Sequence, residues 1–254
     1  MITQILLINA GLLLAYMSLW FVIARSRQRL DTVDTAWGLG YVLVAWAVVI
    51  QEPNTISFLI ACLVSVWGLR LANHIWRRSL KHDEDPRYVE LSSKWRGNLW
   101  LRAYFSIFLL QGVLIWAISL PIVMASNPAL IGWGWLVLLG SLVWLKGFCI
   151  EALADRQLRQ FLSNKNRPKV LQTGLWRYSR HPNYFGELTQ WWGIGIIACQ
   201  VSYGWVGLFG PTILSILIIF VTGIPPIEKR RLKDPEYKEY KRRTSPLILW
   251  PPKS

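Results

Sequence analysis

The side chains best suited to chemistry are concentrated between residues 177 and 187. They are cationic, amide, phenolic and acidic groups: Arg177, Arg180, His181, Asn183, Tyr184 and Glu187. Pro182 predicts a helix start, because proline is tolerated in the first helical turn, where its missing N–H would be unpaired anyway. A helix that begins there presents free backbone amides and a positive dipole end beside Arg180 and His181. Such an arrangement binds phosphate or carboxylate.

The first turns of this predicted helix carry a second kind of ligand group. Asn183 and Glu187 lie one turn apart on one face, and both can hydrogen-bond an amide or hydroxyl of a ligand. Gly186 has no side chain, so another backbone or a ligand can approach closely. A basic loop that binds lipid headgroups is the alternative interpretation. We interpret residues 174–193 as the mouth of a buried ligand site at a membrane surface.

The rest of the chain must position this stretch, and most of it is apolar. Of the 254 residues, 53% are hydrophobic, and several uncharged runs approach the roughly 20 residues that cross a bilayer core. The sequence predicts an all-α polytopic membrane protein, a seven-transmembrane-helix bundle that forms a single integral membrane domain over residues 1–254. The predicted spans are 4–24, 36–50, 56–73, 103–124, 130–150, 187–200 and 204–224, followed by a tail at 225–254. The two short spans, 36–50 and 187–200, are expected to tilt, to extend into their flanks or to be shielded by neighbours.

The distribution of basic residues predicts the topology. The segments 25–33, 74–102, 151–186 and 225–254 contain 26 of the 28 Lys and Arg residues, whereas the alternate short loops contain none. Cytoplasmic loops carry the excess of Lys and Arg. We therefore expect an extracytoplasmic N-terminus and a cytosolic C-terminus. The formal charge of +14 is explained by this topology, and nucleic acid is not an expected partner.

Other polar groups fall on predicted helix faces near the cytosolic side. Glu151, Asp155 and Arg159 are spaced at i, i+4 and i+8, so they share a face. They form either an ion-pair ladder or a polar wall of the site. Arg70 lies within a span and is followed by His74 at helical spacing, which favours a position inside the bundle.

Two further segments allow alternative interpretations. The run 82–88 has three adjacent acids before Arg87, and it either binds a cation or forms a turn that Arg87 stabilises. In the tail, Arg231 and its basic neighbours suit anionic lipids or nucleotide phosphates. Tyr240 either contacts a ligand ring or docks the tail. The His and Cys residues lack metal-ligand spacing, so no metal site is predicted.

The run Leu175–Glu187, together with Asp155–Leu158 and Gly193, resembles the steroid 5-alpha-reductase C-terminal family. It is more similar to that family's bacterial branch of uncharacterised membrane proteins (DUF1295-like). The resemblance extends to residues 33–40, 84–88 and 223–228 and spans about residues 30–245. The R-H-P-x-Y-x-G-E core also resembles isoprenylcysteine carboxyl methyltransferases and phospholipid methyltransferases.

This resemblance implies a membrane reductase that holds NADPH between its last spans and transfers a hydride to a carbonyl-conjugated C=C bond. The substrate would be lipid-like (steroid-like or isoprenoid-like) and would enter from the bilayer. Asn183 and Glu187 would hold the nicotinamide end. Residues along the ribose and phosphates would be Asp155, Arg159, Lys169 and Arg180. The complete predicted cofactor set is Glu151, Asp155, Arg159, Lys169, Arg180, His181, Asn183, Tyr184, Glu187, Glu228, Arg231 and Tyr240.

The substrate end departs from the family pattern, because the Gln-Glu pair that binds the steroid ketone in the reductases is missing. Asp34 and Trp37 occupy a comparable early span end, and Arg70 or His74 the later one. These four form the predicted catalytic set, since a protonated acid or a cation can polarise a carbonyl and supply a proton. The alternatives are an S-adenosylmethionine-dependent membrane methyltransferase and a non-enzymatic lipid-binding protein. Membrane lipids are expected partners, and no obligatory protein partner is expected.

Overall fold

Helices make up nearly all of the regular structure. The computed structural model describes residues 1–80, 82–127, 129–130 and 134–253, and in these residues it contains no strand, only two isolated β-bridges. The longer helices are α1 (Ile2–Arg27), α2 (Thr32–Gln51), α3 (Thr55–Ser79), α4 (Pro86–Ser93) and α5 (Leu99–Ile118), followed by α6 (Leu120–Met124), α7 (Trp135–Ser163), α8 (Pro182–Ala198), α9 (Phe209–Ile216), α10 (Ile224–Arg231) and α11 (Pro235–Arg243). The all-α prediction is confirmed.

Six helical stretches are long and apolar enough to cross a membrane, as expected for an integral membrane protein. They are α1, α2, α3, α5, α7 and the stretch Gly204–Arg231, which includes α9 and α10. The predicted span 187–200 corresponds to α8, which has 17 residues. The predicted short span 36–50 extends into both polar flanks, and α2 covers 20 residues.

The predicted span 103–124 is wrong as one continuous helix. It divides at Ser119, where α5 ends and α6 begins with Pro121 in its first turn. Proline lacks the N–H that a continuing helix needs, which explains the break. The predicted span 130–150 includes residues 131–133, which lie outside the described residues. From Trp135 it continues as one helix through Glu151 and Arg159 to Ser163, as the sequence predicted.

The chain divides into two compact units, and the first contains Met1–Gly132 with Ala198–Phe209. Within it, α2 and α3 cross where Gly38 meets Gly68. A Cβ on Gly68 would lie 2.6 Å from the Gly38 carbonyl oxygen. Small residues at such crossings let two membrane helices approach closely. Arg29 then ties the α1–α2 turn to the end of α3 by donating to the Ser79 carbonyl at 2.7 Å.

The second unit contains Trp133–Ile197 with Gly210–Ser254. Here α7 and α8 cross through two glycine pairs, Gly140 with Gly193 and Gly147 with Gly186, whose order shows that the helices are antiparallel. The tail after α11 returns to the loop before α8, where a bridge joins Ser179 and Ser245. The same unit therefore holds the sequence stretch of interest and the basic tail.

Candidate functional site

The loop before α8 is fixed to α7 by side-chain hydrogen bonds. Gly174 has a φ of 61°, a conformation that favours glycine, and it begins a 3-10 turn that ends at Arg177. Gln157 Oε1 accepts from the Leu175 amide at 3.0 Å, and the Trp176 indole donates to the Ala154 carbonyl at 3.2 Å. The helix α8 begins at Pro182, as predicted.

Arg180 is the buried cation of this site, with a side chain only 6% exposed. Its Nε donates to Glu228 Oε1 at 2.7 Å, and its Nη2 lies 2.5 Å from the same oxygen. Its Nη1 donates to the carbonyls of Lys241 and Thr244. Every nitrogen of this guanidinium therefore contacts a protein acceptor, and Arg180 joins the start of α8 to α10 and to the end of α11.

Glu228 is the centre of this cluster. Besides Arg180, its carboxylate contacts Lys241 Nζ at 2.7 Å and lies 3.6 Å from His181 Nε2. The His181 ring stacks on Tyr184, one turn along α8, with centroids 5.6 Å apart. Three predicted cofactor residues, Arg180, His181 and Glu228, thus meet in one buried polar cluster.

A second group of predicted cofactor residues lies along the α7–α8 contact. Glu151 is buried, and its Oε2 accepts from Gln190 Nε2. A Cβ on Gly186 would lie 2.6 Å from the Glu151 amide nitrogen. The backbone of the next residue, Glu187, therefore lies close to Glu151. Because the helices are antiparallel, Asp155, one turn after Glu151, falls level with Asn183. The side chains of Asp155, Asn183 and Glu187 are half-buried.

The remaining predicted cofactor residues occupy the periphery. Arg159 and Lys169 are exposed. Arg231 is also exposed and lies over the Tyr237 ring at 5.6 Å from its centroid. Tyr240 is buried, and its hydroxyl donates to the carbonyls of Trp176 and Ser179. These bonds dock the tail, and burial raises the pKa of the Tyr240 phenol above its ordinary value.

The predicted catalytic residues belong to the first unit, at one end of the α2–α3 pair. Since Gly38 meets Gly68 and the helices are antiparallel, Asp34 and Trp37 on α2 lie at the level of Arg70 and His74 on α3. The Trp37 ring packs edge-on against Tyr41, with centroids 5.3 Å apart. The fold thus brings the four residues to the same end of the helix pair.

Asp34 has two partners that the sequence interpretation missed. The Tyr88 hydroxyl donates to Asp34 Oδ1 at 2.5 Å, and Arg87 Nη2 donates to Oδ2 at 2.8 Å. Tyr88 is buried, and this burial, together with the Asp34 charge, raises the pKa of its phenol well above the ordinary value. The Tyr88 phenol, the Asp34 carboxylate and the Arg87 guanidinium thus form one hydrogen-bonded group near the start of α2.

The run 82–88 forms a turn that Arg87 stabilises, which is one of its two predicted alternatives. Asp85 caps α4 by accepting from the Arg87 amide at 2.9 Å and also binds the Arg87 side chain. Glu84 accepts from the Leu30 amide at 2.5 Å. The Asp85-Pro86 pair was the sequence signal for this helix start, because a capping acid followed by proline is typical of a first turn.

Comparison with known proteins confirms the DUF1295-like part of the predicted resemblance. The family model "Protein of unknown function (DUF1295)" matches residues 20–244. The chain is also similar to "Uncharacterized protein C594.04c" of Schizosaccharomyces pombe, with 26% identity over 210 residues, covering 68% of this chain and 57% of that protein. The match thus spans little more than half of the yeast protein. No solved structure matches. Because the family model covers most of its length, the chain belongs to the DUF1295 family.

Proposed function

We propose that this protein is an NADPH-dependent membrane reductase that acts on a carbonyl-conjugated C=C bond of a lipid-like substrate. The observation that carries the proposal is the α7–α8 contact, where two glycine pairs bring Glu151, Asp155, Asn183 and Glu187 to adjoining positions. Acidic and amide side chains at this junction are the groups expected around a carboxamide and a ribose. The resemblance to the steroid 5-alpha-reductase family supplies the reaction class.

The residues at this contact fit a nicotinamide carboxamide. Gln190 is buried, and its Oε1 has no hydrogen-bond partner among the described residues. A buried acceptor without a donor is costly, and a carboxamide NH₂ would satisfy it. The half-buried Glu187, three residues earlier in α8, offers a further acceptor.

In this proposal, Asn183 and Glu187 orient the nicotinamide ring, while the exposed cations Arg159, Lys169 and Arg231 neutralise the phosphates. Bound NADPH would supply the hydride. The buried start of α8 would keep water away from the ring. Lipid-like substrates would reach such a site from the surrounding bilayer.

In this proposal the proton that completes the reduction comes from Asp34 and its partners Tyr88 and Arg87, which belong to the first unit. The Tyr88 phenol, which donates its proton to Asp34 at 2.5 Å, would turn that proton to the substrate's carbonyl oxygen and transfer it there once the hydride has arrived. Tyr88 would be left as a phenolate and would recover its proton from water, while Arg87 stays paired with Asp34. Trp37, Arg70 and His74 would shape the surrounding wall.

We also propose seven membrane crossings in a single integral membrane domain, with the N-terminus outside and the C-terminus in the cytosol of a bacterial cell. The crossing that is added to the six long apolar stretches is α8, and most of its residues are buried. A buried helix needs less apolar length than a lipid-facing one. Reporter fusions after Ser163 and after Ser202, on either side of α8, should give opposite orientations with the Ser163 fusion in the cytosol, and equal orientations would refute this topology.

The cofactor is tested by ligand-dependent stability of the purified protein in mild detergent. A ligand present at 100 times its Kd stabilises the folded state by about 2.7 kcal/mol. For a chain of this size that corresponds to a Tm increase of roughly 5–11 °C. We expect this increase with NADPH, and a smaller one in Glu187→Gln. The exposed control Glu236→Gln should respond like the natural protein. Stabilisation by S-adenosylmethionine alone would identify a methyltransferase, and stabilisation by neither ligand would favour the lipid-binding alternative.

A further inference from the structure

A basic cavity lies in the second unit between the loop before α8 and the chain's last residues. Its volume is about 460 Å³, and its lining includes Gln172, Thr173, Gly174, Arg177, Arg243 and Lys253. Tyr240, Thr244 and Pro252 complete the lining, which therefore contains three cations and no acid. The three cations come from three separate segments of the chain.

Backbone hydrogen bonds hold these segments together. Gln157 fixes the loop that leads to Arg177. The Trp250 amide donates to the Tyr178 carbonyl at 3.1 Å, and the Lys253 amide donates to the Arg243 carbonyl at 2.9 Å. The cations are thus brought together by folding and not by contacts among their own side chains.

Gathering like charges around a concave surface is unfavourable unless an anion compensates them. Arg243 pairs with Glu239 at 2.9 Å, but that pair is exposed and contributes little. The part of the chain that the structure describes provides no carboxylate within 4.0 Å of the side-chain nitrogens of Arg177 or Lys253. The cavity accordingly carries a net positive charge that an external anion can neutralise.

We propose that this cavity binds a phosphate group, which two arginines and a lysine would hold. A guanidinium matches phosphate oxygens with paired N–H donors, and a lysine ammonium adds a point charge. The Thr173 hydroxyl provides a neutral donor. The phosphate belongs either to an anionic lipid headgroup or to a soluble phosphate compound. This site does not rest on the proposed reductase activity, because its three cations are not in the proposed cofactor set.

The test measures saturable thermal stabilisation of the full-length protein in neutral detergent at constant ionic strength. The probes are inorganic pyrophosphate, for a soluble source, and short-chain phosphatidic acid, for a lipid source. We expect at least one probe to stabilise the natural protein. The apparent Kd should rise about tenfold or more in Arg177→Gln/Arg243→Gln, since two charge-assisted contacts are lost. Stabilisation by phosphatidic acid alone assigns the site to lipid, and stabilisation by pyrophosphate assigns it to a soluble compound.

Arg242→Gln is the matched control. Arg242 is adjacent to Arg243 in sequence, and its replacement removes one positive charge, but it lines only a neighbouring cavity that shares Arg243 and Lys253 with this one. Its Kd should change less than about twofold. If the double variant has a reduced Tm without ligand, Lys253→Gln provides the same test. Absence of saturable binding, or an equal effect of Arg242→Gln, would overturn the proposal. NADPH stabilisation measured on the same preparations separates failure of this site from failure of the reductase.

Discussion

Replacing Gly186 with alanine tests the helix contact on which the proposed cofactor site depends. The new Cβ would lie 2.6 Å from the Glu151 amide nitrogen and 2.7 Å from the Gly147 carbonyl oxygen. Both are backbone atoms, so no side-chain rotation can relieve the clash, and α7 and α8 must separate. Overpacking of this kind costs about 1–3 kcal/mol. Two clashing backbone atoms place Gly186→Ala toward the upper end of that range.

The effect is measured by thermal unfolding of the purified protein in mild detergent. Since 1 kcal/mol shifts Tm by about 2–4 °C in a chain of this size, a cost of about 3 kcal/mol should lower the Tm of Gly186→Ala by roughly 6–12 °C. Gly11→Ala is the matched control, because a Cβ on Gly11 of α1 meets no atom within 4 Å. Its Tm should be unchanged or slightly raised, since alanine favours helix. Equal Tm values for the two variants would refute the close packing of α7 and α8.

Three other predictions concern the two polar clusters. Glu228→Gln leaves the buried Arg180 charge without its carboxylate, and we expect about 3 kcal/mol of destabilisation in thermal or denaturant unfolding. Tyr88→Phe removes the hydroxyl bound to Asp34, which should cost about 1–3 kcal/mol and abolish turnover of an enone substrate. Burial alone would raise the pKa of Asp85, but hydrogen bonds and charge from Arg87 outweigh burial and hold it below the ordinary 3.8. The ionised Asp85 therefore stabilises the folded state above pH 3.8, and this stabilisation is lost as the pH falls through the lower pKa of the folded state. Asp85→Asn should accordingly reduce the loss of unfolding free energy at acidic pH.

Two of these predictions have a control in the same chain, and the third has an outcome that would contradict it. Glu236→Gln removes an exposed carboxylate, and a loss as large as that of Glu228→Gln would contradict the role of the buried cluster. Tyr203→Phe removes an exposed phenol hydroxyl and should leave stability and turnover unchanged. If Tyr88→Phe were as stable and as active as Tyr203→Phe, Tyr88 would be excluded as the proton donor. An acid limb that stays unchanged in Asp85→Asn would show that Asp85 does not titrate as argued.

Local sequence signals predicted the parts of the fold that depend on local chemistry. Pro182 predicted the start of α8, and uncharged runs predicted most of the membrane-crossing helices, because both depend on neighbouring residues alone. The break at Ser119 was also accessible, since Pro121 ends a helical pattern, but hydropathy alone concealed it. The pairing of Arg180 with Glu228 joins residues 48 positions apart, and no periodic pattern encodes such a distance.

The same limit applied to Asp34, whose partners lie in a short helix beyond α3. The sequence interpretation allowed the run 82–88 either to bind a cation or to form a turn that Arg87 stabilises, and it did not connect that run with Asp34. In the fold, Asp85 braces Arg87, and Arg87 and Tyr88 both reach Asp34. The family resemblance marked residues 33–40 and 84–88, which contain Asp34 and Tyr88, but local sequence chemistry did not indicate that these two side chains meet.

All the guanidinium nitrogens of Arg180 contact protein acceptors, and this limits where a phosphate can bind. A phosphate that took Arg180 from Glu228 would leave a buried carboxylate facing only Lys241 and His181, and an underpaired buried charge is strongly unfavourable. It would also have to replace the carbonyls of Lys241 and Thr244, which fix the tail. Lys169 and Arg177 are exposed cations, so a phosphate bound at them would not uncover a buried carboxylate, and phosphates are expected at Lys169 or at the basic cavity beside Arg177. Arg180 then acts indirectly, by holding α8, α10 and α11 together so that these surfaces exist.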